Sequence, residues 1–274
     1  MKVVKYSGEV VDFDSQKLER SLLKSGAEKQ VVENVIFQIQ SQLYDGISTK
    51  KIYKLAFDLL KEQSNSIAAR YNLRASLEML GPAGFYFEKY ISMLFRKKGY
   101  DTRINLELKG KCVTHEVDVA LKRQNEITMV ECKFHSNRES VSDVKVPMYI
   151  LSRFNDLKVV KHSIFDSNDS IDKCLIVTNN RFSEDAQKFA ICSGLELLSW
   201  EFPQNNNLRN LIDGLQLYPI TCLTTLSIDE KEQLLLQEII LVNQLKDKSE
   251  NLEFIGISSN RISIILKEVK GLCN

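Results

Sequence analysis

The chain has 274 residues, enough for one large domain or two to three small ones, each able to bury its own core. Its hydrophobic content of 43% and charged content of 27% exclude a disordered or membrane-embedded chain, and no apolar run reaches the length of a bilayer span. Formal net charge is +1, and residues 1–80, 81–219 and 220–274 carry +2, +1 and −2, so contact with nucleic acid has to come from a local patch.

The opening MKVVKYSGEVVDF alternates like a strand pair, Lys2–Tyr6 and Glu9–Phe13, turning at Ser7-Gly8. It has no apolar signal region, so a cytoplasmic location is expected. Helices follow. The first is capped by Asp14 or Ser15 and ends at Gly26, the second covers about 31–44, and the third covers about 49–63 after a break at Asp45-Gly46. A fourth, over about 67–80, leads to Gly81-Pro82, where the first domain boundary is expected.

From Gly84 the pattern becomes mixed α/β. A helix over 85–98 stops at Gly99, strands cover about 100–108, 112–122 and 127–134, and Pro147 opens a helix running to about 156, with Val146 extended before it. CLIVTN (174–179) is a strand, 183–193 a capped helix and 195–200 another strand, giving the order α-β-β-β-α-β-α-β. After the polar PQNNN break, 208–215 is helical. From Ser227, DEKEQLLLQEIILVNQL and ISSNRISIILKEV read as two amphipathic helices. Their apolar surplus (Leu234, Leu235, Ile239, Ile240, Val242) marks 220–274 as an interaction segment, and a homo-oligomer, dimer or higher, is expected. The six cysteines are scattered with no CxxC pair, and only three histidines are present, which argues against zinc and for buried thiols in a reducing compartment.

The chemistry concentrates in HEVDVALKRQNEITMVECKF (115–134). Strand alternation puts Glu116 and Asp118 on one face with Val117, Val119 and Leu121 on the other, while Met129, Glu131 and Lys133 oppose Val130, Cys132 and Phe134. A turn at Gln124-Asn125, whether two residues or four, pairs positions summing to 249, so Asp118 stands across from Glu131 and Glu116 across from Lys133. Two opposed carboxylates repel unless a cation lies between them, and a hard divalent ion suits a phosphodiester-cleaving site. Lys133 can then orient the attacking water or neutralise charge on the phosphate. The alternative is a set of charges on the wet face of an edge hairpin.

With HEVDV, VECKF and FEKYISMLFRKKGYDT in this order, residues 82–202 resemble the PD-(D/E)xK nucleases, near the Mrr-type restriction endonucleases. The resemblance implies Mg²⁺ or Mn²⁺ held by Asp118, Glu131 and Cys132, catalysis by Asp118, Glu131 and Lys133, participation of Glu88 from the first helix, and DNA as substrate. Val117 stands where the motif has Pro. His115 reads as structural.

Residues 1–80 resemble the ATP-cone, through Val4-Lys5-Tyr6-Ser7-Gly8, Phe13-Asp14-x-x-Lys17-Leu18 and Arg70-Tyr71-x-x-Arg74. A lysine in the first turn opposes the helix dipole, which a bound polyphosphate would explain. The resemblance implies ATP or dATP as a regulatory ligand with Lys5 and Lys17 on its phosphates, although reductase cones have Lys-Arg where this chain has Lys5-Tyr6. No GxxxxGK[ST] loop is present, so the nucleotide would be a ligand and not a fuel. The expected whole is a multi-domain α/β protein: a mostly helical cone with a β-hairpin (1–80), a restriction-endonuclease-like sheet (81–219) and a small helical segment (220–274). The expected function is a nucleotide-regulated, metal-dependent DNA endonuclease in restriction or anti-phage defence. The alternatives are a non-catalytic nucleotide-responsive DNA-binding regulator and a Holliday-junction resolvase-like nuclease.

Overall fold

A computed structural model describes residues 1–81 and 84–273, with position 247 described by its backbone alone. Pro82, half of the expected boundary pair, lies outside the described residues. The chain divides into two compact units, one formed by 1–76 with 218–274 and the other by 77–217.

In the first unit, β1 (Lys2–Val4) and β2 (Val10–Asp12) are shorter than the sequence suggests. Five residues connect them, and within this connection the Lys5 carbonyl accepts from the Gly8 amide at 2.9 Å, with Gly8 at a φ of 85° that glycine adopts without strain. Helices α1 (Ser15–Lys24) and α2 (Lys29–Gln40) follow, then β3 (Ile47–Ser48), α3 (Thr49–Gln63), α4 (Asn65–Tyr71) and α5 (Leu73–Glu78). The Asp45-Gly46 break thus hides a strand. Ile47 pairs in parallel with Val3 and is fully buried in the core that Leu22, Ile39, Ala56 and Leu60 share. The fourth expected helix divides at Asn72, whose side chain accepts from the Tyr53 hydroxyl at 2.8 Å.

The second unit opens with α6 (Phe85–Lys97) and continues with β4 (Asp101–Lys109), β5 (Thr114–Arg123) and β6 (Glu126–Lys133). After β7 (Val141–Ser142) come α7 (Lys145–Leu157), β8 (Lys173–Thr178), β9 (Arg181–Phe182), α8 (Glu184–Cys192), β10 (Glu196–Leu198) and α9 (Leu208–Leu215). The main sheet has the order β10-β8-β6-β5-β4, antiparallel from β4 to β6 and parallel from β6 to β10, while β7 and β9 form a separate parallel pair. The β5–β6 hairpin is therefore central and β6 is buried along nearly its whole length, which removes the wet-edge alternative. Ile150, Phe154 and Leu157 of α7 pack with Ala186 and Ala190 of α8 on one face, against Ala120, Met129 and Cys174. On α6, Ser92 donates to the Thr102 hydroxyl at 2.9 Å and Arg96 reaches the same atom, anchoring that helix to β4.

Helix α7 starts two residues before Pro147, and Val146 is helical instead of extended. Proline in the first turn costs no intrahelical hydrogen bond, and Asp143 secures the start by accepting from the Lys145 amide.

Beyond residue 218 the chain returns to the first unit as α10 (Ile228–Leu236), α11 (Gln244–Asp247), α12 (Glu250–Phe254) and α13 (Ser259–Leu272). The first expected long helix ends early. Glu238 adopts a left-handed φ of 61°, its amide and that of Ile239 bond back to Leu235 and Leu234, and Leu241 then bridges to Pro219. All five surplus apolar residues are buried within this unit, at 4% exposure or less. Their burial removes the argument for an interaction face made from them. Arg70 of α4 donates to the Gly271 carbonyl at 2.8 Å and Lys61 of α3 to that of Thr224 at 3.1 Å, tying the segment to the cone helices. Among the described residues no helix is long and apolar enough to cross a membrane.

Candidate active site

The β5–β6 turn is the two-residue one. Gln124 takes a φ of 57°, Arg123 faces Glu126, and every pair to Val119–Val130 sums to 249. There the ladder stops, one step short of Asp118 and Glu131. In place of a backbone acceptor, the Cys132 amide donates to Asp118 Oδ2 at 2.6 Å. The two strands separate where the carboxylates begin.

A second irregularity explains how Asp118 comes to face that gap. Val117 and Ala120 both lie in the core under α7 and α8, and residues three apart on a regular strand cannot share a face. Side-chain alternation therefore slips between them, contrary to the expectation that Val117, Val119 and Leu121 share a face. On β4, Ile104–Val119 and Leu106–Val117 flank one missing pair, Asn105 opposite Asp118. Asn105 has a φ of 54°, a left-handed conformation that asparagine tolerates better than most side chains. Both strands slip together, so the register is conserved across the kink.

Around the gap the charges interlock. Glu131 is buried at 3% exposure; its Oε1 accepts from Lys133 at 2.6 Å and its Oε2 from Arg153 at 2.7 Å. Arg153, from α7, also donates to the Glu116 carbonyl. Burial, then the charge of Glu131, pushes the Asp118 carboxyl up to about 7. Glu88 sits in the first turn of α6, brought over the end of β6 by Phe87, whose ring lies 5.8 Å from that of Phe134. Its carboxyl is raised by burial first and then by Glu116 and Glu131. A cleft of 670 Å³ opens here, lined by Phe85, Glu88, Asn105, Glu107 and Glu116.

The structure thus brings Glu88, Asp118, Glu131 and Lys133 into one electrostatic neighbourhood. Cys132 joins through its backbone, because its thiol is buried and pushed well above its usual value by burial and by Asp118. His115 pairs with Asp156 of α7 at 2.8 Å, the structural role expected, and this bond holds the Asp156 carboxyl below its ordinary range. Sequence reading missed Arg153 and Asn105. A helical arginine one residue before a core phenylalanine carries no local signal, whereas an asparagine amid β4's apolar alternation does.

As a fit for a metal, the donor set is hard and acidic: Glu88, Asp118 and Glu131 offer the carboxylate oxygens a divalent ion prefers, and the raised Asp118 and Glu88 carboxyls mark a place where added positive charge is favourable. Among the described residues no three His, Cys, Asp or Glu are gathered closely enough to hold an ion as they stand, in keeping with both Glu131 oxygens being bonded to cations.

In the cone, Lys5 and Lys17 are exposed and each pairs locally, with Glu9 at 2.8 Å and Asp14 at 3.8 Å. The amides opening α1 are not an empty anion site. Asp14 accepts from those of Gln16 and Lys17. Lys17 lies at the helix start as the sequence indicates, whereas Lys5, expected at the end of the first strand, lies on the turn after it, and the convergence on free amides is not met.

The fold and comparisons with known proteins agree on the class. Residues 1–77 match the ATP cone domain, 82–201 the Mrr-type restriction endonuclease domain, and 218–273 the AF1548-like C-terminal domain. The chain is an ATP-cone fused to a PD-(D/E)xK, restriction-endonuclease-like domain. It belongs to the family of an uncharacterized protein from Archaeoglobus fulgidus, to which it is 32% identical over 183 residues, 66% of this chain and 98% of that one. The crystal structure of AF1548, a protein of unknown function, superposes with a TM-score of 0.56 at 28% identity, covering 69% of this chain and 97% of that one. Can2 from Sulfobacillus thermosulfidooxidans, solved in complex with cyclic tetra-adenylate, aligns at a TM-score of 0.35 and 16% identity over 73% of this chain and 54% of its own, too loosely to bear on function.

Proposed function

We propose that the protein is a divalent-metal-dependent DNA endonuclease whose output is set by adenine nucleotide bound to the cone. The observation that supports the proposal is the end of the β5–β6 ladder one step short of Asp118 and Glu131, where Asp118 accepts from the Cys132 amide and Glu131 from Lys133 instead of the strands continuing as a regular sheet. Mg²⁺ or Mn²⁺ would be held by Asp118, Glu131 and the backbone carbonyl of Cys132, which lies on the same strand edge as the amide given to Asp118. Bound there, the ion supplies Lewis acidity at the phosphate and lowers the pKa of water. Lys133 places a positive charge beside the attacked phosphate. Glu88, its proton affinity raised, holds or accepts a proton at the cleft wall.

For the cone, we propose ATP or dATP with Lys5 and Lys17 on the phosphates, each exchanging a local carboxylate partner for a phosphate oxygen. Regulation requires different affinities for two states of the protein, which we assign to two homo-oligomeric assemblies. The test is incubation of the full chain with plasmid, Mg²⁺ and a nucleotide panel, with calorimetry and sizing alongside. Expected are Mg²⁺-dependent nicking or linearisation, nucleotide binding weakened by Lys17→Ala, and a nucleotide-dependent change of assembly. No cleavage in Mg²⁺ or Mn²⁺ under any nucleotide condition would favour the DNA-binding regulator. No binding of any adenine nucleotide at millimolar concentration would remove the regulatory half.

A further inference from the structure

Where β5 and β6 separate, each strand loses hydrogen-bond partners that a continued ladder would have supplied. On β6 the Cys132 amide is taken by Asp118; on β5 the Glu116 carbonyl is taken by Arg153. The same guanidinium donates its other nitrogen to Glu131 Oε2 at 2.7 Å, so one side chain fills the gap and grips the buried carboxylate within it. Its side chain is only 11% exposed. Arg153 follows Ile150 by three positions and precedes Phe154 by one, so packing of α7 onto the sheet fixes its Cα. Tyr149, one turn earlier, lies against the guanidinium with its ring centroid 5.6 Å away.

Resting on the metal-dependent reading above, we infer that Arg153 is the positioning residue of the metal site: it fixes Glu131 so that Oε1 alone is presented to an incoming divalent cation. The two cations on Glu131 are not equivalent. Lys133 holds Oε1 through a flexible stem, with 34% of its side chain exposed, whereas Arg153 is doubly anchored through a rigid fork. A metal competing for Glu131 therefore displaces Lys133 and leaves Arg153 in place. The lysine released from Oε1 is the one required at the phosphate, so metal loading and Lys133 deployment become one event.

The sign of a single measurement separates this role from that of a counter-charge. If Arg153 only offset negative charge, removing it would tighten metal binding; if it positions Glu131, removing it weakens binding. Mn²⁺ is titrated by calorimetry into the full chain carrying Arg153→Met, Arg153→Lys or Glu131→Gln. Positioning groups around metal ligands are worth roughly 10–100-fold in affinity. Arg153→Met should weaken Mn²⁺ binding by about tenfold or more. Arg153→Lys should recover part of the loss, because lysine returns the charge without the fork, and in plasmid cleavage at saturating Mn²⁺ the loss should fall on kcat, with KM for DNA unchanged. Arg153→Met binding Mn²⁺ as tightly as the unmodified chain, or more tightly, overturns the inference. Should Arg153→Met fail to fold, Arg153→Lys decides alone, since unchanged affinity there also overturns it. The control distinguishes the underlying reading: if Glu131→Gln leaves Mn²⁺ binding intact, the metal-site assignment fails, and the inference with it, whatever Arg153 does.

Discussion

The two ends of the β5–β6 hairpin are built from the same pair of strands and do opposite things. From the turn to Val119–Val130 the ladder is regular, and Val119 and Val130 are fully buried. Past that pair the strands part, alternation slips, and the space fills with carboxylates, Lys133 and Arg153. The first half gains stability from burial. The second half keeps charged groups away from bulk water and pulls Asp118 far from its ordinary protonation. One hairpin thus places a rigid support directly under a destabilised site, the arrangement that precise chemistry requires.

The largest effect should separate the two ends by activity. Asp118→Ala, Glu131→Ala and Lys133→Ala should each abolish plasmid cleavage, a loss of at least about 10²–10³-fold in rate; thermal melts should shift little for Lys133→Ala, whereas Glu131→Ala also loses stability because it leaves the largely buried Arg153 guanidinium without its carboxylate. Val130→Ala should do the reverse. Deleting two buried methyl groups from the regular end should cost about 2–3 kcal/mol in a urea melt and leave the rate of the folded fraction near that of the unmodified chain. If the alanine at 130 silences cleavage without loss of stability, or any of the three site variants retains near-full rate, the division is wrong.

Much of this hairpin could be read in the sequence because it depends on local rules. The turn at Gln124-Asn125 fixes the sum of 249 as far as Val119–Val130, and counting one step further is what points to Asp118 and Glu131 together, although the ladder itself has ended there. What could not be read depends on partners distant in the chain. Ile47 looks like part of a loop until Val3 is beside it, and the apolar residues of the tail look surplus until the tail folds into one unit with the cone and buries them. Arg153 becomes visible only when α7 is laid over the gap. Val117 shows the limit of period-two counting, because a left-handed residue on the neighbouring strand inverts the faces without changing the register.

A smaller effect, in pH, sharpens the same comparison. In the metal-free protein the Asp118 carboxyl is raised from an ordinary 3.8 to about 7. Between those values the folded state holds a proton that the unfolded chain has lost, so stability falls as pH rises through this window and stays reduced above it. Asp118→Asn removes the titration while keeping an acceptor for the Cys132 amide. In EDTA at pH 8 the variant should be more stable by roughly 1–3 kcal/mol after allowance for screening, and the difference should vanish near pH 4. Mg²⁺ should stabilise the unmodified chain and not the variant. Metal binding to the unmodified chain should weaken as pH falls below about 7, because the ion must displace that proton. A variant less stable than the unmodified chain at pH 8 in EDTA would mean that burial and the Glu131 charge do not penalise an ionised Asp118 as described.

The smallest expected effect is on β4, where Asn105 opposes Asp118 at a φ of 54°. Glycine occupies that conformation without a Cβ penalty, so Asn105→Gly should leave stability within about 1 kcal/mol, on the stabilising side, and should leave Mn²⁺ affinity unchanged. Valine is the informative contrast, since a β-branched side chain strongly disfavours the left-handed region and prefers the regular strand. Asn105→Val should cost about 1–3 kcal/mol if the kink persists. If the strand instead relaxes to ordinary pleating, the faces beyond position 105 invert, Asp118 turns out of the gap, and the Cys132 amide loses its acceptor. In that relaxed case Mn²⁺ binding should weaken in the valine variant and not in the glycine variant, whereas a persisting kink should show the stability cost with Mn²⁺ affinity kept, read by urea melts and calorimetry on the same preparations. Equal Mn²⁺ affinity in both together with no stability cost for valine would show that Asp118 finds the gap without the slip, leaving the left-handed residue a consequence of the split and not its cause.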